Sequence, residues 1–521
     1  MRSLHISTRR ALQSLVAAGS AVLLTAGVTS GAVQARGAGA RTATGQGPVA
    51  AAAWEPCPFP RSPAELECAT VAVPVDYANP DGAMTSVTVD RLPARKPAER
   101  VGNLYFNPGG PGGSGSAILY FESLGAELFT AAVRDRFDLI GLDPRGVGLS
   151  NALRCDPAVV NRRVTSFPQT KAQFRRLVAR NRDLATSCAQ LSGPLVRHVD
   201  TKSAARDINR VRRALSDDRI NYLGLSYGVQ LGTQYAELFP SGVRTMALDG
   251  VLVHSLSPVQ LFADEASSVE STLNRFFAWC GRDASCALHG RNVARLFDRL
   301  VARADRTPIP APGCADGHCR RTVTGEDIRF HAEDLLLFKR PIPRIAPEGW
   351  NSLALALRAA AAGDATALSS PRALSPADDG ASGAPLAIEC LDWPNQVRTL
   401  ADLKRFKLLG ESIAPHLGGA SQAWTILVGC VGRTAPVVNP PHRTRVTGTR
   451  RLLLVSSTHD PSTPYVWAQQ LASEIRRSVL LTRKGDGHTS YLTHGPSRTR
   501  DAIDRYLITG RTPPPNTVFH N

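Results

Sequence analysis

The sequence predicts an α/β fold, in which a mostly parallel central sheet flanked by helices carries a large, mainly helical insertion. Three observations predict it. Short apolar runs ending in Gly/Pro turns recur along the chain with helical patterns between them, as buried parallel strands alternating with helices do. The 521 residues are 43% hydrophobic and 20% charged, a globular composition that excludes disordered, collagen-like and polytopic membrane chains. Finally, the strand–helix alternation stops near residue 255 and resumes near residue 445.

Taken in order, Arg2, Arg9 and Arg10 precede an uncharged apolar stretch from Ala11 to about Val28, and small residues follow at Val33-Gln34-Ala35 and Ala38-Gly39-Ala40. This is the layout of a cleaved export signal over 1–35. Its Gly, Ser and Thr content argues against a retained spanning helix of ~20 residues. Thr8-Arg9-Arg10-Ala11-Leu12 is half of a twin-arginine signal, but Gln13 breaks the apolar pair and leaves the export route open. Residues 36–53, mostly Ala and Gly, read as a low-complexity leader or propeptide.

A first part of the core covers 54–254, with strands at Leu104–Phe106, Phe137–Ile140, Arg219–Leu223 and Thr245–Leu248 and a helix at Ala204–Leu215. Residues 255–445 read as a helical cap, with helical stretches at Glu270–Cys280, Ala294–Ala302 and Trp350–Ala362 and proline-rich connections. The core resumes over 446–521, where Tyr465–Arg477 reads as a helix between strands Arg451–Ser456 and Ser478–Leu481.

Sixty-one Lys+Arg against 44 Asp+Glu give +17, and only seven of the basic residues are lysines. Removal of 1–35 takes three arginines and no acid, leaving about +14. The arginines are dispersed, without dense runs or interleaved aromatics, which argues against nucleic-acid binding. The basic excess is compatible with an anionic cell wall but reads as a composition bias. Ten cysteines suit an exported, oxidised protein. Pairing neighbours closes only short loops, so the expected bridges are Cys57–Cys68, Cys155–Cys188, Cys280–Cys286, Cys314–Cys319 and Cys390–Cys430. Cys314, His318 and Cys319 offer too few ligands for zinc, and a disulfide is expected there.

The sharpest chemical signal is Gly224-Leu225-Ser226-Tyr227-Gly228. It lies between an apolar strand and a helical run, the context that makes G-x-S-x-G a nucleophile turn. A serine needs a base, and the base needs an acid to orient it. Asp460 follows the strand Leu452–Ser456, and His488 follows Val479–Leu481, in the order Ser, Asp, His that an α/β hydrolase requires. His459 precedes the acid on the wrong loop. Asp486 reads as a surface turn residue.

Asn107-Pro-Gly-Gly-Pro-Gly-Gly-Ser-Gly115 follows another strand, and its glycines let N–H groups face a developing oxyanion. Gly110 N–H and Tyr227 N–H are the expected donors. No Lys-Ser/Thr follows, as a phosphate-binding P-loop would require. Asp143-Pro-Arg-Gly-Val-Gly-Leu-Ser150 is expected to brace the loops near the nucleophile.

These segments, taken together and in this order with Asp460-Pro-Ser-Thr-Pro464 and Gly487-His488, resemble the secreted tripeptidyl aminopeptidases of actinomycetes, relatives of proline iminopeptidase within the α/β hydrolases. The resemblance runs from Trp54 onwards and includes Phe277-Ala-Trp-Cys280 and Ala387-Ile-Glu-Cys390. It implies a serine exopeptidase that releases short peptides from free N-termini, with Ser226 as nucleophile, Asp460 as orienting acid and His488 as general base. It implies no metal or cofactor, and no membrane insertion once the signal is removed. An exopeptidase must also recognise the substrate ammonium, and Glu389 and Asp392 in the insertion are the candidates. A carboxylesterase or lipase-like enzyme with the same triad is the rival reading, as is a single-residue aminopeptidase resembling proline iminopeptidase. A binding protein on a hydrolase scaffold fits poorly with an intact triad.

Overall fold

The computed structural model describes residues 49–342, 349–378, 383–492 and 497–520. The export-signal reading of 1–35 and most of the leader reading of 36–53 lie outside them. Among the described residues no helix is long and apolar enough to cross a membrane.

Ten strands form one sheet: β1 Glu55–Pro56, β2 Glu67–Pro74, β3 Met84–Leu92, β4 Gly102–Asn107, β5 Phe137–Leu142, β6 Ile220–Leu225, β7 Val243–Asp249, β10 Leu452–His459, β11 Ser478–Asp486 and β12 Val518–His520. Their order is β1-β2-β3-β5-β4-β6-β7-β10-β11-β12, and β8 Ile309–Pro310 pairs separately with β9 Thr322–Val323. From β5 to β12 every pairing is parallel, while β1, β2, β3 and β5 pair antiparallel. All six predicted strands fall on β4, β5, β6, β7, β10 and β11, with only Arg219 and Arg451 one residue outside their strands. Their apolar runs are continuous because helices cover both faces, and β5 and β6 are buried at every position.

The register brings the strand ends to one edge. Asn107 of β4 stands beside Gly224 of β6, Leu225 beside Asp249 of β7, and Asp249 beside Val455 of β10. His459, the last residue of β10, pairs with Asp486, the last of β11. In parallel α/β sheets the carboxyl edge, where loops leave for the next helix, is where ligands bind.

Between β7 and β10 the chain is mainly helical, with the β8–β9 pair its only strands among the described residues. Helix Pro258–Arg282 starts in a Ser257–Gln260 capping box and buries Leu261, Phe262, Val269, Leu273 and Phe276, at helical spacing. The sequence reading underestimated this helix by twelve residues at its start, and it passed over β2, β3 and helix Lys171–Ser192. That last helix buries only Leu177, Leu184 and Cys188 among its apolar side chains, too few for a periodic signal.

All five expected disulfides are formed. Cys314 and Cys319 bond to each other. The 143–150 segment braces its surroundings as expected. Asp143 accepts from Ser114 Oγ at 2.7 Å and Leu149 N–H at 2.8 Å. Arg145, buried, forks onto both carboxylate oxygens of Asp207 at 2.6 Å, a bidentate geometry that fixes orientation as well as charge.

Candidate active site

Ser226 sits between β6 and helix Tyr227–Leu238 with φ 58° and ψ −123°. A non-glycine residue in this region is strained, and such strain is found where a side chain must be held out of its element. The flanking glycines are forced by space. A Cβ on Gly224 would lie 2.4 Å from Gly228 O, and one on Gly228 would lie 2.7 Å from Asn107 O.

The glycine loop after β4 packs onto this turn. A Cβ on Gly109, whose φ is 93°, would lie 2.3 Å from Leu225 O and 3.0 Å from Tyr227 N. Gly110, Ser226 and Tyr227 line one cavity. Tyr227 N–H also opens its helix, where the macrodipole favours negative charge.

Asp460 is completely buried, and its two oxygens face His488 Nδ1 at 2.9 and 3.0 Å. Oδ1 also accepts from Ser462 N–H at 2.9 Å and Thr463 N–H at 2.8 Å, and Oδ2 accepts from Thr463 Oγ1 at 3.0 Å. Burial disfavours the carboxylate, but the facing imidazole and these donors hold Asp460 below the usual Asp value. Burial likewise disfavours the imidazolium. Asp460, Asp249 and Glu265 outweigh it and raise His488 above the ordinary histidine value of 6.5. The ring lies over Gly250, where an added Cβ would stand 3.2 Å from His488 Cε1. Gly250 follows Asp249, whose carbonyl accepts Ser226 N–H at 2.9 Å. The structure thus brings Ser226, Gly110, Tyr227, Asp460 and His488 to one edge of the sheet.

The histidine loop is held from three sides. Arg483, buried in β11, donates to the carbonyls of Asp486, Gly487 and Thr489 and to Ser490 Oγ. His488 N–H donates to Leu337 O at 2.8 Å, and Ser268 Oγ donates to Asp460 O at 2.6 Å, so the helical stretch between β7 and β10 grips both loops. Asp486 corrects the sequence reading. It is only 7% exposed and is paired with Arg275 and with Lys339 Nζ at 2.6 Å, which hold its carboxyl low against the effect of burial. Neither partner is visible from the Gly485–Gly487 turn, because Arg275 arrives from helix Pro258–Arg282 and Lys339 from an irregular stretch far away in sequence.

Glu389 and Asp392, one turn apart on helix Ala384–Asp392, both line the cavity. Asp392 is consumed by its neighbours: Thr201 N–H and Oγ1, Gln230 Nε2 at 2.9 Å and Asn439 Nδ2 at 3.1 Å. Among the described residues the Glu389 carboxyl has one hydrogen bond, from Gln422 Nε2 at 3.3 Å, with the Arg433 guanidinium acting on it electrostatically, and the same amide donates to Gly110 O at 3.0 Å. Burial pushes Glu389 up to about 8 and Asp392 to about 7.

Glu265 and Gln422 also line the cavity, and the sequence reading missed both. Glu265 accepts Ala423 N–H at the start of helix Gln422–Gly429, and burial raises it to about 8. An acid four residues after Leu261 and four before Val269, on the buried helix face, was the available signal. Leu252, Leu261, Ile388, Trp393, Ile426 and Trp467 supply the apolar part of the wall, beside the polar Gln230, Ser462 and Thr463.

Comparison with known proteins agrees with this architecture. The family model described as alpha/beta hydrolase fold matches residues 102–313, and that described as TAP-like protein matches 415–518. Serine protease Hip1 of Mycobacterium tuberculosis is 30% identical over 482 residues, covering 88% of this chain and 89% of that protein. Tripeptidyl aminopeptidase of Streptomyces lividans is 30% identical over 478 residues, 88% of this chain and 84% of that one. Carboxylesterase B of Mycobacterium tuberculosis is 32% identical over 460 residues, 86% and 85%.

Proposed function

Because the chain belongs to the TAP-like family of α/β-hydrolase serine enzymes, we propose that it is an exported exopeptidase releasing short peptides, tripeptides in particular, from free N-termini. Ser226 Oγ attacks the scissile carbonyl while His488 takes its proton, and Asp460 stabilises the imidazolium. Gly110 N–H and Tyr227 N–H hold the oxyanion. The imidazolium then protonates the leaving amine, and a water activated by His488 releases the acyl group. No metal or cofactor enters the scheme. The helical stretch 255–445 serves as the cap that limits access. Five disulfides and the charge-flanked apolar start of the sequence support export.

The observation that carries the peptidase reading is Glu389. It is a buried carboxyl group in the wall of the Ser226 cavity, and among the described residues its one hydrogen-bond partner is the long contact with Gln422. A substrate ammonium entering the cavity would meet a counter-charge shielded from water, where ion pairing is strongest. Asp392, fully engaged by protein donors, is assigned to positioning instead.

A second reading, carboxylesterase, is favoured by the large apolar part of the wall and by the relative of that name. One panel separates them: chromogenic mono-, di- and tripeptides with free and acetylated N-termini beside a short-chain p-nitrophenyl ester. Free tripeptides turned over faster than all others support the proposal. Preference for the ester or for acetylated peptides overturns it, and single-residue release moves the activity towards the iminopeptidase type. Ser226→Ala is expected to lower turnover by roughly 10⁶ in every case.

A further inference from the structure

One buried acid at this edge has no part in the scheme above. Asp249, the last residue of β7, is completely buried. Its main-chain carbonyl accepts Ser226 N–H at 2.9 Å. Its Oδ2 accepts Ser490 N–H at 2.7 Å and Tyr491 N–H at 2.8 Å, two and three residues beyond His488. A single residue therefore clamps the nucleophile turn through its backbone and the histidine loop through its side chain. The second oxygen, Oδ1, is buried without a hydrogen-bond partner among the described residues.

A neutral amide would satisfy the same two N–H groups. A carboxylate in this place is unfavourable to desolvate, and its bare oxygen adds to that. Such a charge is explained where its field acts on a neighbour. The charged groups facing Asp249 are the Arg483 guanidinium from β11 and the His488 ring. His488 is in turn faced by Asp460 from the loop after β10 and by Glu265 from helix Pro258–Arg282.

We propose that Asp249 is a positioning residue for acyl transfer, fixing the histidine loop against the serine turn and lending its negative charge to the imidazolium of the transition state. This rests on the assignment of Ser226, His488 and Asp460 made above. As the bond from Ser226 Oγ to the carbonyl carbon forms, the hydroxyl proton passes to His488. Asp249 stays ionised and takes no proton. Burial pushes its carboxyl up to about 6, so it carries its charge at neutral pH.

The test is the second-order rate of Ser226 labelling by a fluorophosphonate, followed from about pH 5 to 9 on the full chain, with thermal melting measured in parallel. In Asp249→Asn the amide oxygen can still accept both N–H groups, while the charge is removed and an NH2 group takes the place of the unpartnered Oδ1. The variant is expected to melt close to the wild type and to label at least tenfold more slowly on the plateau. Its acid limb should move down by about one pH unit, the shift expected on loss of a nearby opposite charge. A plateau within twofold of wild type with an unmoved limb overturns the proposal. Should Asp249→Asn not melt cooperatively, Asp249→Ser, whose shorter side chain leaves room for a water to accept from those N–H groups, is judged by the same two readings. Labelling that persists in Ser226→Ala refutes the triad assignment itself, independently of Asp249.

Discussion

Replacing Glu389 by Gln probes the element that separates an aminopeptidase from an esterase. The side chain keeps its size and its contact with Gln422, and loses only its charge. Removing one partner of a buried ion pair costs about 3–5 kcal/mol. Part of that is already spent in the wild type, because burial raises Glu389 to about 8. Its carboxyl is mostly neutral at pH 7 and must give up a proton before it pairs with an ammonium. One pH unit corresponds to about 1.4 kcal/mol, which leaves about 2–4 kcal/mol. The KM for a free-amine tripeptide should therefore rise roughly thirtyfold to several hundredfold, with much less change for the acetylated peptide or a p-nitrophenyl ester.

The pH dependence carries the same sign. Glu389 has a raised pKa, so the charged form is lost as pH falls below about 8, and wild-type KM for the free amine should worsen by up to about tenfold per unit from pH 8 towards 6. Glu389→Gln should abolish that slope. Steady-state kinetics on the three substrates decide the matter. Equal effects on free and acetylated peptides, or a slope that survives in the variant, would refute the ammonium assignment.

Other consequences are equally open to measurement. His488 is raised above 6.5 and must be neutral to accept the serine proton, so the acid limb of kcat/KM should have its midpoint above that value; a wild-type midpoint below it contradicts the reading, and Asp460→Asn should move it down. Asp392→Asn disturbs the four donors that lock helix Ala384–Asp392 to the core. It should lower Tm while affecting free-amine and acetylated substrates alike, and a defect confined to free amines would return Asp392 to substrate binding. Arg275→Gln with Lys339→Gln leaves Asp486 buried without its cations. Both cations are partly exposed, which keeps the expected loss to about 1–2 kcal/mol, a few degrees in Tm by calorimetry, with a parallel fall in kcat.

Much of the site was legible in one dimension because its constraints are local. Gly224 and Gly228 are required within one turn by backbone collisions that any side chain would cause, and a Ser on such a turn is recognisable from five residues. Asp460 and His488 could be singled out because each lies on the loop after a strand that begins as an apolar run. The neighbouring cysteine pairs were legible for a related reason, since short loops bring their ends together at little entropic cost.

Asp486 shows where local reading ends. It lies between two glycines like a solvent-facing turn residue, yet Arg275 and Lys339, remote in sequence, bury and pair it. The local chemistry of residues 486–488 contains no trace of either cation.

By itself the amino-acid order determined the alternation of strands and helices, the strained serine turn proposed to carry the nucleophile and the loops bearing the proposed acid and base, because hydrophobic period and turn sterics act over a few residues. Only the tertiary structure decided which acids are spent and which are spare. Glu389 and Asp392 stand one helical turn apart and look equivalent in sequence, but Thr201, Gln230 and Asn439 converge on Asp392 alone. Asp249 and Glu265 acquired their neighbours in the same way. The field at a buried carboxylate is set by groups that folding gathers from distant parts of the chain, and no short stretch of sequence records that assembly.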